Sequence, residues 1–205
     1  MDKNKINANG FDYVDLGLPS KTLWATYNVG ASKSSDAGLY FQWGDTKGYT
    51  KEQVGKDKQF NWANYKWSVN GSSSNFSKYA TKGATLELED DAANANMGGD
   101  WHIPTPGQIK ELINTANTTN TWTTQDGVNG RLFTSKANGN SIFIPAAGFA
   151  SYGSLRDEGS EADVWSSMLN TVGVDYGQCL YFYSYSIGLN YSYRDYGFSV
   201  RGVIG

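Results

Sequence analysis

The residues whose types and spacing could do chemistry in this chain are tyrosines. Seven of the 14 (Tyr176, Tyr181, Tyr183, Tyr185, Tyr191, Tyr193 and Tyr196) fall between Trp165 and Val203, a stretch without Lys, Glu or Pro. In Leu180-Phe182-Ser184 and Tyr181-Tyr183-Tyr185 the period is two, so a strand sends the first set to one face and the tyrosines to the other. The first face suits a core. The second is a row of phenols, continued by Tyr191, Tyr193 and Tyr196 among Asn190, Ser192 and Asp195. Tyr mixed with Ser, Gly, Asn and Asp is the composition of antibody-like binding loops, because the ring brings a large amphipathic contact on few rotatable bonds while the small polar residues adapt. The chemistry implied is recognition. A plain strand pair with cross-strand aromatic contacts would carry the same alternation. An outward row this dense, however, leaves an apolar patch that a monomer seldom exposes without use. Aromatic faces also stack on sugar rings, so both protein and glycan ligands remain open.

Catalytic alternatives are few. His102 is the only histidine, which removes a His-based triad, a multi-His metal site and an acid–base His pair; between Trp101 and Ile103 it reads as structural. Cys179 is the only cysteine, so no intramolecular disulfide forms and no pair of reactive thiols exists. Glu87, Glu89, Asp90 and Asp91 could offer oxygens to calcium, which takes about six to eight of them. Their spacing matches no EF-hand loop, and a helix start accounts for acids there. No catalytic residue, metal or cofactor is expected.

These positions need a body to hold them. The length of 205 residues, with 39% hydrophobic and 15% aromatic residues, suffices for one domain with its own core, and nothing in the chain looks like a linker. A mean hydropathy of -0.52 indicates a strongly polar surface. The 24 glycines against four prolines suit turns and irregular loops and disfavour a long helical bundle. A net charge of -3 with no Lys/Arg cluster gives no footprint for a phosphate backbone, and aromatics without a basic groove do not make a single-strand binder. No apolar segment follows the polar start and no run of about twenty apolar residues occurs, so neither a signal nor membrane insertion is expected for the chain as given.

Along the chain, residues 1–10 read as a polar leader and 11–205 as a single domain. Tyr13–Ser20 and Leu23–Gly30 read as a hairpin about a Pro-Ser turn. Ser35-Asp36 could cap a short helix over Gly38–Trp43, ended by Gly44. Residues 45–83 read as a long excursion pinned by Phe60, Trp62, Tyr65, Trp67, Phe76 and Tyr79. Leu86–Ala93 opens a short helix closed by Gly98-Gly99, and Trp101–Ile103 is extended. Thr105 caps the clearest helix, Pro106 to about Ala116, with Ile109, Leu112 and Ile113 on one face. Thr121–Thr124, Leu132–Ser135 and Ser141–Pro145 are strand candidates separated by Asn-Gly turns.

Several motifs in fixed order carry a resemblance: Tyr13-Val14-Asp15-Leu16-Gly17-Leu18-Pro19-Ser20, Leu23-Trp24-Ala25, Asn28-Val29-Gly30, Leu86 to Ala93, Gly98-Gly99-Asp100-Trp101, Pro104-Thr105, Ile144-Pro145-Ala146-Ala147-Gly148, Trp165-Ser166-Ser167 and Gly197 to Arg201. From Tyr13 to its end the chain resembles the bacterial and phage "major paralogous domain" family, in the C-type-lectin-fold group that also holds formylglycine-generating-enzyme-like domains. The fold this implies is α+β: a small twisted antiparallel sheet with two flanking helices and long irregular loops. Met97, His102, Met168 and Gly202 stand where the family pattern would have Trp, Arg, Ser and Pro. Enzymes of the formylglycine-generating type rely on reactive cysteines, and one Cys cannot replace a pair. The calcium signatures of sugar-binding C-type lectins are missing, since Trp165 is followed by Ser166-Ser167.

A narrower likeness is to the variable proteins of diversity-generating retroelements, whose C-terminal ribbon (here about 165–203) is rewritten at adenines of AAC codons. The residues such codons yield stand at Asp175, Tyr176, Cys179, Tyr181, Tyr183, Tyr185, Ser186, Gly188, Asn190, Tyr191, Ser192, Tyr193, Asp195 and Tyr196. The resemblance makes these the ligand-binding positions, and makes Trp165, Leu180, Phe182, Ser184, Ile187, Arg194 and Gly197–Arg201 fixed scaffold. It implies a display domain on a cell surface or phage virion that recognises varied protein or glycan targets, with no nucleic-acid partner. The alternatives are a formylglycine-generating-type enzyme and a fixed carbohydrate-binding module.

Overall fold

The computed structural model describes residues 6–205. The leader expected over residues 1–10 lies partly outside them, at residues 1–5; within them Ile6–Ala8 is already an edge strand, β1. It is followed by β2 (Phe11–Asp15), β3 (Leu23–Asn28), β4 (Tyr40–Phe41), helices α1 (Ala92–Met97) and α2 (Pro106–Ile113), β5 (Thr118–Gln125), β6 (Val128–Ser135), β7 (Ser141–Pro145), β8 (Phe149–Ser151), β9 (Ser154–Arg156), β10 (Ala162–Leu169), β11 (Tyr176–Phe182), β12 (Ile187–Tyr193), β13 (Phe198–Ser199) and β14 (Arg201–Ile204). The strands form a sheet β1-β2-β3-β14, a sheet β12-β11-β10-β13-β4, a meander β5-β6-β7 and the hairpin β8-β9.

This architecture corrects the expected fold class. Among the described residues strands and bridges hold 39%, in four small sheets, and helices 12%, three short 3-10 turns included. The two helices are six and eight residues long, too short to flank a sheet as layers. The protein is therefore a mostly β chain and not an α+β domain built on one sheet between two helices.

The five-stranded sheet is the centre because both of its faces are covered. Trp165, Cys179 and Phe198 enter one apolar cluster with Trp43, Trp101 and Met97. Val164, Leu180 and Phe182 enter a second with Trp24, Ile109, Leu112, Phe133 and Ile144. Alternation in β10 and β11 thus feeds two cores at once. Trp165 stacks on Phe198 at 4.1 Å between centroids, and its indole Nε1 donates to Phe41 O at 2.7 Å.

The β2–β3 hairpin forms with Val14 opposite Trp24. Thr105 caps α2, its side chain accepting from the Gln108 N–H, but the helix stops at Ile113 instead of near Ala116. The Thr118 hydroxyl donates to Leu112 O at 2.6 Å and the Asn117 amide to Glu111 O at 2.9 Å, so side chains take over the last carbonyls. The helix expected over Gly38–Trp43 is absent. Gly38 has φ +74°, and a Cβ there would lie 2.4 Å from Val29 O, so the chain enters β4 through a left-handed residue packed against the end of β3. Tyr40 and Phe41 then pair with Ser199 and Phe198. The β5–β6 turn is Asp126-Gly127, both at positive φ, and not Asn129-Gly130, which lies inside β6 against Ile144 and Pro145. The long excursion follows expectation: Phe60, Tyr65, Phe76 and Tyr79 are buried anchors. No helix among the described residues is long and apolar enough to cross a membrane.

Candidate ligand-binding site

The ribbon is a hairpin on the open edge of the central sheet. β11 and β12 pair without interruption, Tyr176 opposite Tyr193, Cys179 opposite Asn190, Tyr181 opposite Gly188 and Phe182 opposite Ile187; Ser184 and Tyr185 form the tip, closed by Tyr183 N–H donating to Ser186 O at 2.9 Å. Most positions expected to be fixed are internal: Trp165, Leu180, Phe182, Arg194, Phe198, Val200 and Arg201 are buried. Ile187 is half-buried and packs on the second core; Ser184 departs, being exposed at the tip.

Of the expected binding positions, Tyr185 is 86%, Tyr191 47% and Tyr193 37% exposed. Asn190 is exposed, and Asp175, Tyr176, Tyr181, Tyr183, Ser186, Gly188, Ser192 and Tyr196 are half-buried. Two are not surface at all. Cys179 and Asp195 are fully buried, because Cys179 points into the core beside Trp165 and Asp195 sits in the turn that follows Arg194 inward.

The tyrosines do not share one face. Every cross-strand pair couples an odd-numbered residue with an even-numbered one, so Tyr191 falls opposite Gln178 and belongs to the row of Leu180, out of step with Tyr181. Two groups result. In the first, Tyr183 and Tyr185 are stacked at 5.7 Å and 9°, and Tyr181 meets Tyr183 edge-on at 5.9 Å. Gly188 leaves room for the Tyr181 ring, since a Cβ there would approach it to 3.1 Å, and Ser186 Oγ is 3.3 Å from the Tyr181 hydroxyl. In the second, Tyr176 stacks on Tyr193 at 4.8 Å and touches Tyr191 at 5.2 Å. Tyr193 continues to Tyr196 at 5.6 Å and to Trp62 at 6.0 Å, and Tyr196 stacks on Phe149.

Each group has buried acid beside it. Beside the first lie Glu161 and Asp163, which are almost fully buried and close enough to one another and to Tyr183 to perturb each other's ionisation. Burial raises both carboxyls, and repulsion from Glu161 raises Asp163 further, so the pair retains a proton that isolated carboxyls would lose. Cys179 Sγ is 3.9 Å from Asp163 Oδ1; burial and that carboxylate push the thiol well up, the reverse of an activated nucleophile. Beside the second group, Asp195 has both carboxylate oxygens buried without a hydrogen-bond partner, and burial raises it to about 7.

Sequence reading missed Glu161, Asp163, Trp62 and Phe149. The signal available was Glu161-Ala162-Asp163, acids at period two in the strand beside the ribbon. The acids at 87–91 divide their work. Asp91 accepts from Ala93 N, Asn94 N and Ile103 N at 2.8–3.0 Å, capping α1. Glu87, Glu89 and Asp90 gather on the Lys78 ammonium at 2.5, 3.0 and 2.6 Å, so a lysine fills the place a cation would take. The His102 ring nitrogens lie 2.9 and 3.1 Å from Ile103 O and Gly205 O, a structural tie between chain segments.

No protein-family model, no curated protein and no solved structure matches this chain.

Proposed function

We propose that this protein is a ligand-binding display domain whose tyrosine-rich β11–β12 hairpin recognises protein or glycan targets at a cell surface or from a phage virion. We further propose that the hairpin is of the kind diversified by a retroelement. What supports this reading is one observation. Along a hairpin with uninterrupted pairing, aliphatic, Phe and Arg side chains point inward, and residues of the Tyr, Ser, Asn and Gly types occupy nearly all the outward positions. Such a division lets side chains change on the outside while the frame is held by residues that do not. Tyr181, Tyr183 and Tyr185 form one aromatic centre and Tyr176, Tyr191, Tyr193 and Tyr196 another, each rimmed by small polar residues, an arrangement in which a few anchors carry most of the binding energy.

The test is a screen of cell-surface proteins and glycans followed by single substitutions. Tyr183→Ala or Tyr193→Ala should weaken binding by roughly thirtyfold, the equivalent of about 2 kcal/mol, and binding should survive EDTA. Substitution of His102 should leave affinity unchanged in folded protein. A near-identical DNA repeat beside a reverse transcriptase gene, differing only at adenines, would support diversification. Tyrosine variants that bind like the parent would refute the reading.

A further inference from the structure

From Asp157 to the end the chain has six acidic residues, Asp157, Glu158, Glu161, Asp163, Asp175 and Asp195, no lysine, and two arginines, Arg194 and Arg201. Both arginines are fully buried, and their guanidinium groups are occupied by Tyr65, Tyr79, Val174 and Lys78 in one case and by Asn28, Ala25, Thr26 and Phe143 in the other. This C-terminal segment thus combines acids and aromatic rings with no exposed cation of its own. On the neighbouring strand Asp163 stands opposite Tyr181, and Glu161, two residues earlier, lies next to Tyr183.

The charged and titratable groups facing that pair are Asp157 from the preceding turn, Cys179 and Tyr181 from β11, and Tyr183 from the hairpin tip. Arg131 of β6 lies on the Phe182 side, 5.9 Å over that ring, and donates to Tyr183 O, Ser184 O and Asn120 Oδ1. Lys51 is engaged by Glu158 at 3.0 Å. Arg156, exposed at the end of β9, makes no ion pair among the described residues.

We infer that the Tyr181–Tyr183–Tyr185 face docks a cationic segment of a protein target, one Lys or Arg side chain lying against the rings beside Glu161 and Asp163. This rests on the display reading and names its ligand chemistry. Ring faces carry negative quadrupole density that attracts an ammonium or guanidinium, and two carboxyls beside them supply the counter-charge. The positive charge docked on the rings favours ionisation of the pair, and the proton that the pair retained leaves to solvent. Binding therefore tightens as pH rises through the range in which the pair ionises.

The probe is N-acetyl tetralysine amide against the same peptide with all side chains acetylated, titrated into the full chain with labelled tyrosines and followed by NMR. The lysine peptide should move the signals of Tyr181, Tyr183 and Tyr185, bind roughly tenfold more tightly than its acetylated form, and tighten as pH rises. Glu161→Gln with Asp163→Asn should remove the preference and the pH dependence. Tyr185→Ser, at a position exposed enough to leave folding intact, should weaken the lysine peptide without touching the acids. Equal binding of the two peptides, no binding of either, or a preference that survives loss of both carboxyls would overturn the inference. A neutral glycan or uncharged peptide held by the same tyrosines would overturn it while leaving the display reading standing; a target indifferent to all the ribbon tyrosines would end both.

Discussion

Two kinds of charge are buried beneath the tyrosine ribbon, and the protein treats them in opposite ways. Arg194 donates from Nε to the Tyr65 hydroxyl at 2.6 Å and from Nη1 to Tyr79 O and Val174 O at 2.9 Å, with Phe76 4.2 Å below the guanidinium. Arg201 likewise bonds Asn28, Ala25, Thr26 and Phe143, all at 2.9 Å, and ties β14 to β3 and β7. The buried acids have nothing comparable. Asp195, next in sequence to Arg194, has no partner for either oxygen, and Glu161 and Asp163 have mainly each other and Tyr183. Saturated buried charges hold a frame in one shape; unsaturated ones destabilise it and leave bonding capacity that a ligand can complete. The boundary between frame and display therefore runs between adjacent residues.

The strongest way to break this contrast is to remove a saturated cation. Arg194→Ala leaves the Tyr65 hydroxyl and three carbonyls without their donor in a dry site, so it should lower stability by on the order of 5 kcal/mol and Tm by roughly 10–20 °C. Thermal melting checks it. A loss no larger than that of an exposed tyrosine variant would show that Arg194 is not part of the frame.

The second test concerns Asp195 and carries the opposite sign. Its folded pKa of about 7 lies above its ordinary 3.8, so the folded state holds the proton more tightly than the unfolded chain. The stability this confers is complete below about pH 4, declines as pH rises, and is gone above about pH 7. The spread corresponds to about 4 kcal/mol, so Asp195→Asn should stabilise the protein above neutrality by up to that amount and do little at about pH 4. Glu161 and Asp163 are raised as well, so the variant should reduce the overall fall in stability with pH and not abolish it. Denaturant titrations across pH decide it; a variant less stable than the parent at about pH 8 would mean that Asp195 has an ionic partner in solution.

How much of this could be read in the sequence depends on the range of the interactions. The β2–β3 hairpin, the capped start of α2 and the in–out division of Leu180–Phe182 follow from local periodicity and capping, and all three were legible. The fate of Gly38–Trp43 was not, because β4 joins the central sheet through Phe198 and Ser199, more than 150 residues away. The fold class failed for the same reason: short apolar segments suit one sheet or several, and long-range pairing decides which. Within the site, each strand's alternation was legible but the parity across the hairpin was not, and that parity separates Tyr191 from Tyr181. The resemblance implied that Cys179 and Asp195 are display positions, yet both are inside, since residue type reports what a surface tolerates and not which way one backbone turn faces.

The smallest expected effect is the sharpest test of the display side. Tyr185 at the hairpin tip contacts Tyr183 and is otherwise in solvent, and Tyr191 is about half exposed against Tyr176. Neither ring fills a core cavity, so Tyr185→Ser and Tyr191→Ser should each change stability by no more than about 0.5 kcal/mol. Three residues before Tyr185 the outcome should differ. Phe182→Ala removes a fully buried ring that packs edge-on with Trp122 and Phe133 and should lower stability by roughly 3–5 kcal/mol. Tyr183 should fall between these limits, because its half-buried ring packs on both Tyr181 and Tyr185 and lies next to Glu161. The three melting temperatures should therefore rank Tyr185→Ser above Tyr183→Ser above Phe182→Ala; if Tyr185→Ser fell as far as Phe182→Ala, the hairpin tip would belong to the frame, and its tyrosines could not be exchanged without unfolding it.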